Sequence, residues 1–352
     1  MRVWFVNSTR RWGGVKTWTL DLVQWLAEHG HEPVVACRPG PFADKAVELG
    51  VETHVFDFGV DFSPNRIRWF TSAFRAARPD AVVCNVGKDL RTAGVAARLS
   101  GIPVVHRVGL PGDMRNVPKV RLLHAFIKPR VLVPCEFIKF GLRENLPWLK
   151  DEEITVIRTG KPCAGEETPP PDGPLRLVAT SQLNPDKGHD DMLRALARLA
   201  EEGYAFRLDV LGTGSEEERL KELGRELGLD GRLTWHGFQR NVRAFLRAAD
   251  VFVLPSRSEG LPNTLLEAMA LGLAPVARDV GGVREIWPEA MDFLLADARG
   301  DGEGMYPPLK RVLDAPPDEL AGYKRIALNV CRERFDQQTQ ARRVAEWLAG
   351  LN

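Results

Sequence analysis

Short apolar runs alternate along this chain with longer stretches whose apolar residues return every three or four positions. In the first half the runs predict strands at Val3–Val6, Glu32–Ala36, near Glu52–Phe56, Ala81–Cys84, Pro103–Arg107 and Val131–Val133. Helical spacing between them predicts helices at Val15–His29, Asp44–Leu49, Pro64–Ala77 and Leu90–Leu99. The second half repeats the theme, with strands at Arg176–Thr180, Phe206–Leu211, Leu233–His236, Asp250–Leu254 and Ala274–Arg278. Its helices are expected at Gly188–Glu202, Ser215–Leu227, Asn241–Ala249 and Asn263–Leu271. A final amphipathic helix spans Gln337–Leu351, with Val344, Trp347 and Leu348 inward and Arg342 and Arg343 outward. Strands that are apolar on both faces and separated by helices build parallel sheets covered on both sides. The segment Cys163–Pro174, rich in Pro, Gly and acid, reads as a linker stiffened by its run of prolines. The expected fold class is therefore α/β: two doubly wound Rossmann-like domains, residues 1–164 and 165–336, facing an interdomain cleft. The strands end in polar or glycine-bearing turns, and such sheets bind ligands outside their strand carboxyl ends.

Length and composition narrow the class further. At 352 residues the chain can bury two cores of ordinary size, and 44% hydrophobic content with a net charge of +1 excludes disorder. No apolar stretch approaches the length of a membrane span, and the N-terminus turns polar too soon for a signal peptide, so a cytoplasmic protein is expected. The five cysteines are scattered without Cys-x-x-Cys spacing, which fits reduced core thiols better than a disulfide frame or a zinc site. Near-neutrality hides an asymmetry: residues 1–161 carry a net +8 and the remainder −7. Opposite charge suggests different partners for the two halves. No basic stripe carries a nucleic-acid motif, and no nucleic-acid partner is expected.

The densest chemical signal lies in residues 250–286. A strand ends at Pro255, and a polar loop sets Glu259 at its carboxyl end. Pro262 and Asn263 suit a helix start. The free amides of Asn263, Thr264 and Leu265 then form an anion site that the helix dipole favours. Glu267 lies about one turn further on, better placed to accept hydrogen bonds from vicinal hydroxyls than to sit against a phosphate.

This segment resembles the retaining glycosyltransferases of family 4, the group 1 glycosyltransferases of GT-B fold. The resemblance is carried by Pro255-Ser256, Glu259-Gly260, Glu267-Ala268-Met269-Ala270, Gly272 and Pro275-Val276. It extends through Val210-Leu211-Gly212-Thr213-Gly214, Trp235-His236-Gly237-Phe238 and Ile157-Arg158-Thr159-Gly160, where Thr159 occupies the usual Asn position. What it implies is transfer of a sugar from a nucleotide-sugar donor to a saccharide or lipid-linked acceptor, in cell-surface polysaccharide or lipopolysaccharide synthesis. Residues 1–164 would serve the acceptor, with the C-terminal helix 337–352 packed back on them, and 165–336 would bind the donor. By the same resemblance Glu267 would hold the ribose and Glu259 would contact the transferred sugar or support charge at its anomeric carbon. Amides near Asn263, Thr264 and Leu265 would bind the diphosphate, with Lys187 neutralising it as it leaves. Gly13-Gly14 match the N-terminal glycine pair, a turn that would approach the donor phosphates or the acceptor closely, and Gln182 and Gly212 would line the donor side.

Two departures stand out. Gln182 replaces the usual Arg five residues before the phosphate lysine, removing one positive charge; Arg257, Arg107 or Arg11 are candidates to compensate. The position where many members carry a sugar-contacting His is Gly109, while His106 falls inside a strand and reads as structural. Arg11, Arg107 and Asp113 remain as acceptor-side candidates. A nicotinamide enzyme is weighed because of Gly212-Thr213-Gly214, but Glu217 stands where the third glycine belongs. A silent nucleotide-sugar-binding subunit of the same fold is the other alternative.

No Asp-x-Asp motif stands at a strand end, and Asp301-Gly302-Glu303 reads as a solvated turn, so neither a metal nor a cofactor is expected beyond the donor itself. Residues 115–150 interleave Arg115, Lys119, Arg121, Lys128, Arg130, Lys139, Arg143 and Lys150 with Phe126, Phe137, Phe140 and Trp148. That pattern suits peripheral attachment to an anionic bilayer. An ordinary solvated face over buried aromatics is the alternative.

Overall fold

The computed structural model describes residues 1–10, 12–164, 173–298 and 304–351. Two compact units emerge: Met1–Gly160 together with the segment from Gln338 onward, and Lys161–Gln337. The first boundary falls at Gly160, ahead of the proline run, because Lys161 is already tied into the second unit: its amide donates to Phe335 O at 2.8 Å.

The first unit holds seven strands: β1 (Arg2–Asn7), β2 (Glu32–Cys37), β3 (Glu52–Val55), β4 (Ala81–Cys84), β5 (Val104–Arg107), β6 (Arg130–Val133) and β7 (Ile154–Val156). They form one parallel sheet in the order β3-β2-β1-β4-β5-β6-β7. Alternation along β1 serves both faces. Val3 and Phe5 join a core with Leu22, Leu26, Val344 and Leu348, whereas Trp4 and Val6 join another with Phe70, Phe74 and Leu90. The final helix, Gln337–Ala349, thus completes the first unit's core, with Arg342 and Arg343 exposed.

The second unit holds β8 (Leu175–Thr180), β9 (Phe206–Leu211), β10 (Leu233–Gly237), β11 (Val251–Leu254), β12 (Ala274–Arg278) and β13 (Leu295–Ala296). Its parallel sheet runs β10-β9-β8-β11-β12-β13. Both sheets therefore reverse direction beside their first strand, at β1/β4 and at β8/β11, the topological switch points where open α/β sheets take ligands.

The predicted strands all form, with ends shifted by a residue or two. The short β7 and β13 and the helices Tyr306–Leu313 and Pro317–Arg334 were not predicted. Leu90–Leu99 is not one α-helix: a π-helical turn over Leu90–Gly94 precedes Val95–Leu99. Helix Pro317–Arg334 is fastened to the sheet through Lys324 Nζ, which donates to the buried Asp250 carboxylate at 3.0 Å. No helix among the described residues is long and apolar enough to cross a membrane.

Candidate functional site

The switch point of the second sheet lies between β8 and β11; Gln182, Lys187 and Glu259 lie on the loops leaving these two strands, Asn263, Thr264, Leu265 and Glu267 on the helix after β11, and Gly212 just after β9. The loops are drawn together by backbone approach. Gly212 has φ +129°, and a Cβ there would lie 1.8 Å from Ser181 O. Its amide donates to Gly237 O at 2.8 Å, and close packing against the β8 loop already requires glycine here. Gly188, at φ +63°, would bring a Cβ within 2.2 Å of Pro255 O, so the β8 loop meets the β11 loop at a position only glycine can fill.

Lys187 closes the single 3₁₀ turn Pro185–Lys187. Its Nζ donates to Glu259 Oε1 at 2.8 Å and to Ser258 O at 3.3 Å, with Asp186 Oδ2 3.4 Å away. Two residues chosen separately from the sequence thus form one ion pair. It is largely covered, with side-chain exposures of 19% and 16%, which strengthens it relative to a surface pair.

Helix Asn263–Ala270 follows. Pro262 occupies the capping position and Asn263 is the first helical residue, so Asn263 does not cap as its sequence position suggested. Leu266 is the first residue whose amide reaches a helical carbonyl, Pro262 O at 3.2 Å. The amides of Asn263, Thr264 and Leu265 therefore precede the ladder, as helix geometry requires. Asn263 Oδ1 is buried with no hydrogen-bond donor among the described residues. One turn on, Glu267 Oε1 accepts from Lys161 Nζ at 2.7 Å. Nothing in the sequence pattern pointed to Lys161; its partner lies 106 positions away.

Of the arginines considered as replacements for the missing charge at Gln182, Arg257 is already engaged. It donates to both oxygens of Asp190 at 3.0 Å and to Pro185 O at 2.7 Å, and meets Asp191 Oδ1 at 2.9 Å. Those carboxylates raise the Arg257 pKa, with the Asp190 hydrogen bond the largest cause. The buried Arg278 shares Asp191 from below, at 2.6 Å, and also donates to Pro255 O at 3.1 Å. Gln182 itself accepts from Asn184 Nδ2 at 3.1 Å.

In the first unit Gly13 caps helix Gly14–Glu28 with extended backbone, and a Cβ there would meet nothing within 4 Å. Arg11 lies outside the described residues. Arg107 is almost wholly buried at the end of β5, its guanidinium 4.9 Å from the Trp18 ring centre. Burial pulls its pKa down to about 10. Asp113 Oδ2 accepts from the amides of Gly109 at 3.1 Å and Leu110 at 2.8 Å, so this carboxylate first of all shapes its own loop. His106 lies within β5, and burial pushes its pKa down to about 3. Along 115–150 the structure separates the aromatics. Phe126, Phe137 and Phe140 are exposed, Phe140 at 64%, on helices Pro118–Ile127 and Glu136–Asn145, so buried aromatics do not explain the pattern. Trp148 is half-buried and donates to Asn116 Oδ1 at 3.1 Å.

Four described cysteines are buried and all five are free thiols. Among the described residues no three His, Cys, Asp or Glu side chains gather as a metal site. Asp301, Gly302 and Glu303 lie outside the described residues, as does most of the proline-rich stretch, residues 165–172.

Comparison with known proteins bears on both halves. Residues 165–301 match the model of the family described as glycosyl transferases group 1, and residues 12–162 that of glycosyltransferase family 4. The chain is 26% identical over 310 residues to the lipopolysaccharide core biosynthesis glycosyltransferase LpsD of Rhizobium meliloti, covering 86% of each chain. Its fold matches a glycosyltransferase from Rickettsia africae with a TM-score of 0.85 at 17% identity, over 99% of this chain and 98% of that one. Anabaena HepE in complex with UDP-glucose matches with a TM-score of 0.83 at 17% identity, over 99% and 100%. The two parallel-sheet units are those of GT-B glycosyltransferases.

Proposed function

The chain belongs to the group 1 glycosyltransferases, and from that premise we propose that it moves a sugar, with retention at the anomeric carbon, from a nucleoside-diphosphate sugar to a saccharide or lipid-linked acceptor. Cell-surface polysaccharide or lipopolysaccharide synthesis is the proposed setting, supported by the likeness to LpsD. The observation that carries the reading is the Lys187–Glu259 pair beside the unladdered amides of Asn263, Thr264 and Leu265 at the β8/β11 switch point.

In this reading the diphosphate lies on the helix start, where amide dipoles and the macrodipole favour negative charge. Lys187 exchanges its carboxylate partner for a phosphate oxygen and stabilises the charge that grows as the glycosidic C1–O bond to phosphate breaks. Released from Lys187, Glu259 faces the sugar and favours positive charge at C1. The acceptor oxygen then bonds to C1, and its proton leaves with the departing phosphate oxygen. Glu267 accepts from the ribose hydroxyls. Acceptor handling is assigned to the first unit, with Arg11, Arg107 and Asp113 as candidates, while Gly13 and Gly14 are candidates for donor contact. No cofactor or metal is assigned, so activity is expected to persist in chelator.

A UDP-hexose is the first donor to test, given the UDP-glucose complex of HepE. A thermal-shift screen against UDP-, GDP- and ADP-sugars should raise the midpoint for one base class. Slow release of the matching nucleoside diphosphate without acceptor is the expected mark of a transferase. Binding without any hydrolysis or transfer would favour a silent subunit. The exposed Phe126, Phe137 and Phe140 among the basic residues of 115–150 support a further proposal, that this face rests on an anionic membrane. Flotation with anionic liposomes tests it: salt-sensitive binding is expected, and no binding at low salt would end it.

A further inference from the structure

Lys161 is almost fully buried, yet its ammonium reaches the Glu267 carboxylate, one turn into helix Asn263–Ala270. Its backbone is clamped on both sides. The amide donates to Phe335 O at 2.8 Å, the carbonyl accepts from Gln337 N at 3.2 Å, and the residue bridges Asp336. Phe335 follows helix Pro317–Arg334, and that helix touches helix Asn263–Ala270 where Cys331 Sγ lies 3.8 Å from Leu266 O. The stem of Lys161 is thus fixed at its root and packed along its length, and its side chain is 2% exposed against 25% for Glu267. A long, half-exposed glutamate has several rotamers of similar energy. One held by a buried ammonium at 2.7 Å has few.

We propose that Lys161 is a positioning residue for the donor's ribose. It fixes the Glu267 carboxylate in the orientation that accepts the 2′-hydroxyl, so that the ordering cost is met on folding and not on binding. The proposal rests on the reading of Glu267 as the ribose partner. It goes further in naming the residue that gives that glutamate its discrimination, and it places the source in a segment tied to helix Pro317–Arg334.

Calorimetry with UDP, GDP and ADP and their 2′-deoxy counterparts tests the proposal, using the base that wild type binds tightest. Wild type should prefer the ribonucleotide by about tenfold, the worth of one charge-assisted hydrogen bond. In Lys161→Met the ribonucleotide should weaken by nearly that factor while the deoxynucleotide changes little, so the preference collapses; Lys161→Arg should restore part of it. Melting curves establish that the variants fold, and Lys161→Gln replaces the methionine variant if it does not. Equal weakening of both nucleotides would show that Lys161 acts on the diphosphate or on folding, and overturns the proposal. A Lys161→Met protein that keeps the full preference, while Glu267→Gln loses it, overturns the Lys161 role alone. Absence of any preference in wild type overturns the ribose reading and the proposal with it.

Discussion

The two units share a strand order and a switch point, yet they use polar side chains in opposite ways. In the second unit the charges at the switch point are paired with one another. Lys187 holds Glu259 and Lys161 holds Glu267, ion pairs in which an incoming phosphate or diol can replace or join a partner. In the first unit several polar groups near the strand ends hold the backbone, although Arg38 also pairs with Asp57. Asp113 holds the amides of Gly109 and Leu110, Lys16 Nζ donates to Thr9 O at 3.0 Å, and the buried Asp89 accepts from the amides of Ser8, Asn85 and Val86. A side chain bonded to backbone amides holds a loop in shape, whereas one bonded to another side chain can trade partners. On that ground the donor grip is proposed for the second unit and a shaped acceptor surface for the first.

Substitutions should separate the two cases. Glu259→Gln or Lys187→Ala should cut kcat by about 10²–10³-fold, because each removes charge stabilisation used in the transition state, with a smaller drop in melting midpoint from the unpaired partner. A similar loss from Asp113→Asn at unchanged stability would erase the contrast. Acidification should lower stability in both units alike. Burial holds His106 near 3 and His124 and His189 near 4, all below the usual imidazole value, so between pH 4 and 6.5 they take up protons only on unfolding. Asp89, raised to about 7 by burial, releases its proton on unfolding and opposes them with a single group. The unfolded chain therefore binds more protons over that window, and stability falls as pH drops from 6.5 toward 4. Melting midpoints across this range check the sign; a midpoint that rises on acidification contradicts it.

Next in size, Asp113→Ala should cost about 1 kcal/mol of stability through loss of its cap-like bonds, leaving donor affinity intact. Thermal melts with and without nucleotide read both effects. The smallest change is expected from Gln182→Arg, which restores the charge missing from the β8 loop. It should lower the donor KM by roughly threefold, about what a partly exposed ion pair contributes. A rise in KM would show that the loop has no room for the guanidinium.

Much of this was legible in the sequence. Alternating apolar runs gave the predicted strands and the helices between them, because a parallel sheet needs strands that are apolar throughout. The two-residue β13 and three-residue β7 are too short to print a pattern, and helix Pro317–Arg334 escaped because its buried face mixes Lys324 and Tyr323 with its apolar residues. In the site, Glu259, Glu267 and Lys187 were legible because motif spacing fixes their loops. Lys161 and Arg278 were not, since their partners are set by tertiary approach: Lys161 meets a residue 106 positions away, and Arg278 one 87 positions away. The pairing of Arg257 with Asp190 and Asp191 is likewise set by tertiary approach and has no mark in the sequence.

The most direct test of the donor grip is a crystal structure with the nucleotide diphosphate that raises the melting midpoint most. The diphosphate should lie against the amides of Asn263, Thr264 and Leu265, with Lys187 Nζ about 3 Å from a phosphate oxygen and parted from Glu259, and with Glu267 on the ribose. A diphosphate bound elsewhere, with Lys187 still joined to Glu259, would contradict it.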